Sequence, residues 1–119
     1  MMMEKQIEIV FLKQAENFID EIEEPVSKKF FISMRKTKDR IFGDWFKKMT
    51  DTNDLFEFRV ENKGKFYRLF AFWDSRDEKQ TLVVCTHGLI KKTNKTPKSE
   101  IKKAEEIKDK YFESLKYGG

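Results

Sequence analysis

The chain has 119 residues, a formal net charge of +4 and 39% hydrophobic residues, which include twelve Phe, three Tyr and two Trp. This length gives room for one domain with a single core rich in aromatic side chains. The one cysteine, Cys85, lies in an apolar run, which excludes an internal disulfide and favours a buried thiol in a reducing compartment. No apolar stretch approaches the roughly 20 residues of a membrane span, and the N-terminal segment lacks the order of a signal peptide. We therefore expect a cytoplasmic protein.

The charges are unevenly distributed along the chain. Residues 1–60 carry 11 basic and 12 acidic side chains, whereas residues 61–119 carry 14 and 9. Because phosphate backbones attract such a basic surplus, an RNA partner is reasonable, with a membrane surface or an acidic protein as alternatives. Since 39% of all residues are charged, a solvated surface is the default explanation for most lysines.

The N-terminal half is predicted to form one strand and two helices. Residues 6–11 alternate like a half-buried strand, and residues 13–23 have apolar side chains at helical spacing. Pro25 ends this helix and opens a second one over residues 26–41. The inward side chains of the second helix are Val26, Phe30, Met34 and Ile41. Residues 44–53 end in turn-forming side chains and are predicted to be a connector.

Three strands of a meander are predicted in the second half, over residues 55–60, 66–73 and 82–89. Polar turns at 62–64 and 74–79 separate them. In the first strand Phe56, Phe58 and Val60 alternate with Leu55, Glu57 and Arg59, and in the second Tyr67, Leu69, Ala71 and Trp73 alternate with Phe66, Arg68, Phe70 and Phe72. Alternate side chains of a strand point to opposite faces, so Arg59 points away from the core and Arg68 lies among aromatic rings.

A C-terminal helix is predicted to begin at Thr96 and Pro97, which suit the N-cap and the first helical position. Its inward stripe is Ile101, Ala104, Ile107, Tyr111 and Leu115. Residues 116–119 are expected to be frayed. This element order predicts an α+β fold in one domain, with a four-stranded, mainly antiparallel sheet, two N-terminal helices and one C-terminal helix.

Several segments resemble the RelE/HigB toxin superfamily, and most closely its phage-derived HigB-type branch. They are LFEFRV at 55–60, GKFYRLFAF at 64–72 and HGLIKKTNKTPKSEIKKAEEI at 87–107, with FKKM at 46–49 as a further match. The resemblance implies a RelE-like fold and the toxin of a type II toxin-antitoxin pair that cleaves mRNA on the ribosome. Its implied partners are a cognate helix-turn-helix antitoxin, the ribosome and mRNA, with no membrane.

The chemistry implied by this resemblance is attack of an mRNA 2′-hydroxyl on the neighbouring phosphate. No metal or cofactor is expected, because the chain has one His and no clustered ligands at metal-site spacing. Arg68 matches the arginine of the family's Tyr-Arg pair and is the first choice for stabilising the phosphorane. The alternative is a surface arginine that covers neighbouring rings. Because an exposed arginine contributes little to stability, replacing Arg68 is expected to leave the fold intact.

Arg59 is a second candidate for phosphate binding. It lies on the strand next to Arg68, and hairpin pairing would bring the two side chains together. An ion pair with Glu57 or another partner across the sheet is an equal alternative. Glu57 could act as a base if it were desolvated. The family carries basic residues on this strand, however, and this departure leaves the identity of the general base open.

Lys91 and Lys92 lie after the last predicted strand, where the resemblance implies basic residues for the scissile phosphate and ribosomal RNA. Lys91 could serve as a base only if burial or nearby cations lower its pKa, and phosphate contact is the simpler role. Lys95 and Lys98 would add to the positive field. His87 has an ordinary pKa that suits proton transfer, but a lone histidine at a strand end is more often structural.

Phe66, Phe70 and Phe72 form an aromatic face on which RNA bases could stack. The alternative is that a helix or a bound antitoxin covers these rings. Tyr111 and Tyr117 are further candidates for stacking, although core packing is favoured for Tyr111 because it lies on the apolar stripe.

Two other functions fit the same pattern. One is inhibition of DNA gyrase, as in the ParE relatives, which predicts toxicity without cleaved mRNA. The basic, aromatic face argues against it. The other is a non-enzymatic binding module that keeps the fold, in which Arg59, Arg68 and Lys91 are ordinary surface charges.

Overall fold

The computed structural model describes residues 6–76, 81–93 and 95–117. In chain order the elements are β1 (Glu8–Phe11), α1 (Lys13–Glu21), α2 (Glu24–Lys38), β2 (Phe46–Lys48), β3 (Leu55–Asn62), β4 (Lys65–Asp74), β5 (Leu82–Lys91) and α3 (Lys98–Tyr117). The strands form one sheet in the order β1-β5-β4-β3-β2, with β1 parallel to β5 and the other neighbours antiparallel. The predicted α+β class is confirmed. The predicted number of four strands is wrong, because the sheet of the described residues has five. The sheet is mixed, since one of its pairs, β1 and β5, is parallel.

The additional strand, β2, lies in the segment predicted to be a connector. It pairs with β3, so that Phe46 lies opposite Phe58 and Lys47 opposite Glu57. The centroid of the Phe46 ring is 4.4 Å from that of Phe58 and 5.2 Å from that of Phe56. Three residues with two lysines show no alternation, so this strand depends on its ring packing more than on local sequence.

The second helix ends earlier than predicted. Its last residue is Lys38, and Arg40 has a positive φ of 62°, which takes the chain off the helix axis. The predicted inward residues Val26, Phe30 and Met34 are buried. Ile41 is 54% exposed, so its prediction as an inward residue is wrong. The other helix and strand ends lie within about two residues of the predicted ones.

The sheet has a core on each face. Helices α1 and α2 pack on the face that carries Phe58, Val60, Tyr67, Leu69, Val83 and Cys85. Helix α3 packs on the opposite face through Ile101, Ala104, Tyr111 and Phe112, against Leu55, Phe70, Phe72 and Val84. We call this second face the α3 face. The predicted alternation in β3 and β4 is confirmed. The apolar core under α3 does not extend to the hairpin end of these strands, where charged residues occupy the same face.

A two-residue turn fixes the register of β3 and β4. Lys63 and Gly64 both have positive φ, 51° and 78°, as a type I′ turn requires. The predicted hairpin turn is therefore confirmed. Its register places Arg59 directly opposite Arg68 on the α3 face.

A β-bulge in β5 changes which side chains reach the α3 face. Leu69 pairs with Gly88, and Ala71 pairs with Cys85. Between these pairs β4 has one residue, Phe70, whereas β5 has two, Thr86 and His87, which both lie beside Phe70. Regular alternation would direct His87 to the same face as Cys85. The bulge shifts the alternation by one residue and brings His87 to the α3 face instead.

Helix α3 begins at Lys98, directly after the predicted start at 96–97. Within the described ranges, no helix is both long and apolar enough to cross a membrane. Two predictions fall partly outside these ranges. Residues 77–79 of the predicted turn are not described, nor are the last two residues of the tail expected to be frayed, while α3 itself continues to Tyr117.

Candidate functional site

The hairpin end of the α3 face carries four charged side chains from three neighbouring strands. Glu57 and Arg59 belong to β3, Arg68 to β4 and Lys91 to β5. Arg59 pairs with Arg68, and Lys91 pairs with the β4 residue two positions before Arg68, so these side chains share one face. We call these four residues the basic cluster. It brings together three of the four predicted catalytic residues, and the fourth, His87, lies elsewhere on the same face.

Glu57 is the carboxylate of the basic cluster. Its Oε1 atom is 3.5 Å from Nε of Arg59 and 3.8 Å from Nε of Arg68. Its Oε2 atom and the Nε atom of Arg59 are buried and have no hydrogen-bond partner among the described residues. The ion pair considered for Arg59 and Glu57 is therefore present, but it leaves buried polar atoms without hydrogen bonds, which is unusual in a folded protein.

Arg68 lies beneath the surface of the cluster. Its side chain is 1% exposed, its Nη1 atom donates a hydrogen bond to the carbonyl oxygen of Tyr67 at 3.1 Å, and its Cζ atom is 5.4 Å from the centre of the Phe66 ring. Burial lowers the pKa of Arg68, Glu57 opposes this shift, and Arg59 adds to it. The expectation of an exposed arginine is wrong. Its replacement by a small side chain would leave a void beside Glu57 and lower the stability of the fold.

Lys91 is the third cation of the cluster and the last residue of β5. It is 9% exposed, and its Nζ atom donates a hydrogen bond to Oγ1 of Thr96 at 2.5 Å. Burial is the main cause that lowers the pKa of Lys91; Arg68 lowers it further, and Glu57 opposes the shift. An ammonium group with a lowered pKa releases its proton more readily, which suits a proton donor.

His87 is held through both ring nitrogens. Its Nε2 atom lies 2.8 Å from Oε2 of Glu100 on α3, and its Nδ1 atom lies 3.2 Å from Oγ1 of Thr86. The ring is 4.8 Å from that of Phe70, and the side chain is 3% exposed. Burial lowers the pKa of His87, and the hydrogen bond to Glu100 opposes this shift. These contacts join α3 to β5 and support the structural role, while the catalytic role of His87 stays a prediction.

The phenylalanines of the α3 face differ in exposure. Phe70 and Phe72 are fully buried, and the Phe72 ring contacts Tyr111 and Phe112 of α3 at centroid distances of 5.3 and 5.4 Å. Helix α3 therefore covers these rings, which agrees with the alternative prediction that a helix buries them. The predicted stacking of RNA bases on Phe70 and Phe72 is contradicted. Phe66, at the hairpin end, is only half-buried and remains accessible.

Tyr111 packs in the core under α3, as favoured from its place on the apolar stripe. Its hydroxyl donates a hydrogen bond to Oδ2 of Asp74 at 2.7 Å, and burial is the main cause that raises the pKa of Tyr111 to about 12. Asp74 also accepts two hydrogen bonds of 2.8 Å from Arg76. This network fixes α3 to the end of β4. The side chain of Tyr117 lies outside the described part of the chain, so its stacking role stays a prediction.

The remaining predicted RNA-binding residues lie between β5 and α3. Lys92, Lys95 and Lys98 are all exposed. They follow Lys91 in the chain and extend the positive charge of the basic cluster towards the solvent. Their contact with RNA stays a prediction.

An open cavity of about 440 Å³ lies beside the cluster, lined by Asp44, Trp45, Lys47, Arg59 and Glu61. Lys47 lies opposite Glu57 in the sheet, so it adds a cation next to the basic cluster. It was not among the predicted site residues. Its position in the FKKM segment was the only signal, because the short strand that carries it was not predicted.

One protein family matches most of the chain. The family described as "Phage derived protein Gp49-like (DUF891)" matches residues 17–109, which include the basic cluster and His87. No curated protein is significantly similar to the sequence.

Solved structures of RelE proteins share the fold at low sequence identity. A mutant of the E. coli toxin RelE in the free state is 16% identical with a TM-score of 0.55, over 94% of this chain and 97% of that chain. In the intact E. coli RelBE toxin-antitoxin complex, the matched chain is 15% identical with a TM-score of 0.51, over 75% and 99%. In the RelBE2 toxin-antitoxin complex of Mycobacterium tuberculosis, the matched chain is 15% identical with a TM-score of 0.50, over 75% of this chain and 95% of that chain. The expected RelE-like fold is confirmed.

Proposed function

This chain belongs to the phage-derived Gp49-like family, and we propose that it is the toxin of a type II toxin-antitoxin pair that cleaves mRNA on the ribosome. The observation that carries the proposal is the basic cluster. Three cations, Arg59, Arg68 and Lys91, surround one carboxylate on the face of a RelE-like sheet. Such a group suits a phosphate that gains negative charge during a reaction.

The proposed reaction is attack of a 2′-hydroxyl on the adjacent phosphate. Arg59, whose side chain is 23% exposed, and Lys91 would contact the phosphate, and Arg68 would act on it from beneath through its charge. The phosphorane carries more negative charge than the ground state, so the cations stabilise the transition state more strongly. Partial burial of the cluster strengthens this effect because it lowers the local dielectric constant. We assign to Lys91 the donation of a proton to the leaving 5′-oxygen.

The ribosome is part of the proposed reaction. A flexible RNA strand must be held with its 2′-hydroxyl in line with the scissile bond, and fixing that geometry is worth several orders of magnitude in rate. The ribosome would hold the mRNA in this way, while the exposed Lys92, Lys95 and Lys98 would bind phosphates of either RNA. We therefore expect cleavage of ribosome-bound mRNA and little cleavage of naked RNA.

A cognate antitoxin is the proposed protein partner, and we expect it to carry a helix-turn-helix domain. Two of the structures that share this fold are toxin-antitoxin complexes. The test is co-expression with the small protein encoded beside this one. Restored growth and copurification of the two chains are expected.

Induction of the chain without an antitoxin, followed by primer extension on cellular mRNA, tests the proposed activity. Growth arrest with new 5′ ends inside coding regions is expected. Arrest with intact mRNA and relaxed plasmid DNA would favour gyrase inhibition. No arrest and no new ends, at verified expression of folded protein, would favour the non-enzymatic binding module.

A further inference from the structure

We propose that Glu57 is the general base of this reaction, the group that takes the proton from the attacking 2′-hydroxyl. The inference rests on the proposed function and deepens it, because it assigns the one role that the cations of the basic cluster do not fill. Arginine stays protonated at physiological pH and cannot accept a proton, and Lys91 has been assigned the role of proton donor.

The position of Glu57 supports this role. It lies in the first half of β3, opposite Lys47 on one side and Phe70 on the other. Its side chain is 14% exposed, less than that of Arg59 at 23%. Arg59 lies opposite Arg68 and Lys91 opposite Phe66, so a phosphate held by Arg59 and Lys91 would lie over β4 beside Arg68. Glu57, whose Oε1 atom is 3.5 Å from Nε of Arg59, would then border the phosphate on the side of the ribose.

The hydrogen bonding of Glu57 is incomplete. Its Oε2 atom is buried and has no hydrogen-bond partner among the residues that the structure describes, and its Oε1 atom is no closer than 3.5 Å to Arg59 Nε and 3.8 Å to Arg68 Nε. A buried carboxylate oxygen without a donor costs free energy, and such atoms call for a functional explanation. An ionised carboxylate accepts hydrogen bonds and donates none. The carboxylate is therefore short of donors, and a 2′-hydroxyl placed at its exposed surface, 14% of the side chain, would add one.

Atoms and charges balance in the proposed step. A carboxylate oxygen of Glu57 takes the proton of the 2′-hydroxyl, and the 2′-oxygen forms a bond to the adjacent phosphorus. The bond from phosphorus to the 5′-oxygen of the next nucleotide breaks, and that oxygen receives a proton from the ammonium group of Lys91. The products are a 2′,3′-cyclic phosphate and a 5′-hydroxyl end. Glu57 and Lys91 then return to their starting states by proton exchange with water.

His87 is another residue on this face that could accept a proton. Its two nitrogens are within 2.8 Å of Glu100 and 3.2 Å of Thr86, and the side chain is 3% exposed. It would have to break contacts that join α3 to β5 before it could reach a substrate. Glu57 would not, since its Oε2 atom has no hydrogen bond to break.

The test compares Glu57→Gln with Glu61→Gln, because both glutamates lie on β3 with side chains directed to the same face and Glu61 is exposed. Single-turnover cleavage of a synthetic mRNA on programmed ribosomes is measured between pH 6 and 9. We expect Glu57→Gln to be slower by about 100-fold or more, as loss of a general base predicts, and Glu61→Gln to stay within about threefold of the wild type.

The pH profile separates a base from a group that only positions the arginines. For Glu57→Gln, the residual rate should rise with pH, because hydroxide must replace the carboxylate, whereas the wild-type rate should rise less. A rate within about threefold of the wild type, or an equal loss at every pH, would overturn the assignment. If Glu57→Gln does not fold, Glu57→Asp decides: a folded variant with an unchanged rate would overturn it, and a loss of about tenfold would support it. If the wild-type protein cleaves no mRNA, the proposed function itself has failed.

Discussion

Arg59 and Arg68 lie directly opposite each other in the β3–β4 hairpin, with Oε1 of Glu57 3.5 Å from one Nε atom and 3.8 Å from the other. Like charges in directly opposed positions destabilise a sheet, and partial burial increases their repulsion. A pair kept in this arrangement lowers the stability of the hairpin. It is therefore better explained by binding of an anion than by a role in folding.

Arg59→Gln is expected to make the protein more stable and less active. The substitution removes the repulsion with Arg68 and a buried Nε atom that has no hydrogen bond, so the free energy of unfolding should rise by about 0.5 to 1 kcal/mol. Cleavage should fall at least about tenfold, because a cation near the phosphate is lost. Urea unfolding and the ribosome cleavage assay measure the two effects, with the exposed Arg35→Gln on α2 as control. A less stable Arg59→Gln would mean that the ion pair with Glu57 outweighs the repulsion.

Two phenylalanines of the α3 face should respond in opposite ways to truncation. Phe72→Ala removes a fully buried ring and should lower the free energy of unfolding by about 3 to 5 kcal/mol. Phe66→Ala removes a half-buried ring under Arg68 and should cost much less stability but reduce cleavage. Thermal melts and cleavage rates of both variants test this. Full activity of Phe66→Ala would exclude Phe66 from RNA contact.

The stability of the protein should depend on His87 in mildly acidic solution. Burial lowers the pKa of His87 in the folded protein, so the unfolded chain, with an ordinary value of about 6.5, binds the proton more tightly. The stability should be full above pH 6.5 and fall as the pH drops through that value. Because the chain has one histidine, His87→Gln should remove this dependence.

Urea unfolding at pH 7.5 and pH 5.5 measures this effect. Asp74, whose pKa is lowered mainly by its hydrogen bond to Arg76, should lose its contribution only below its ordinary value of 3.8, outside this range. The prediction would be contradicted if the free energy of unfolding changed equally between the two pH values for the wild type and for His87→Gln. A variant that keeps its melting temperature but loses cleavage would instead support a catalytic His87.

Gly88→Ala should be destabilising because of the bulge in β5. An added Cβ atom would lie 2.1 Å from Cγ of Phe18 on α1, so the ring would have to move, at a cost of about 1 to 3 kcal/mol. Phe18→Leu in the same chain should restore part of the loss, and a double-mutant cycle measures this coupling. Gly64→Ala serves as control, because it meets no atom within 4 Å and is affected only by its φ of 78°. Additive effects of Gly88→Ala and Phe18→Leu would contradict the proposed contact.

The faces of β3 and β4 could be predicted from sequence because their alternation is regular and a turn with a clear signature joins them. This was sufficient to bring Arg59 next to Arg68. The burial of Arg68 was not predictable in the same way. It depends on side chains from neighbouring strands, whereas residue type alone suggests an exposed arginine.

Neither the position of His87 nor the strand β2 could be predicted from the sequence, and the reason differs between them. A bulge adds one residue to a strand without a distinct sequence signal, yet it reverses the face of every later side chain, including that of His87. β2 has three residues, too few to show a period, and it exists because Phe46 packs on Phe56 and Phe58.

The central claim is that the basic cluster cleaves ribosome-bound mRNA, and analysis of the new RNA ends tests it most directly. Purified wild-type protein and Arg68→Gln would be incubated with the same synthetic mRNA, with and without programmed ribosomes, and the ends identified by mass spectrometry. The wild type should produce 2′,3′-cyclic phosphate and 5′-hydroxyl ends only with ribosomes, and Arg68→Gln, which removes the positive charge beneath the phosphate, should be slower by about 100-fold or more. Intact mRNA with the wild type, or equal cleavage by folded Arg68→Gln, would contradict the account.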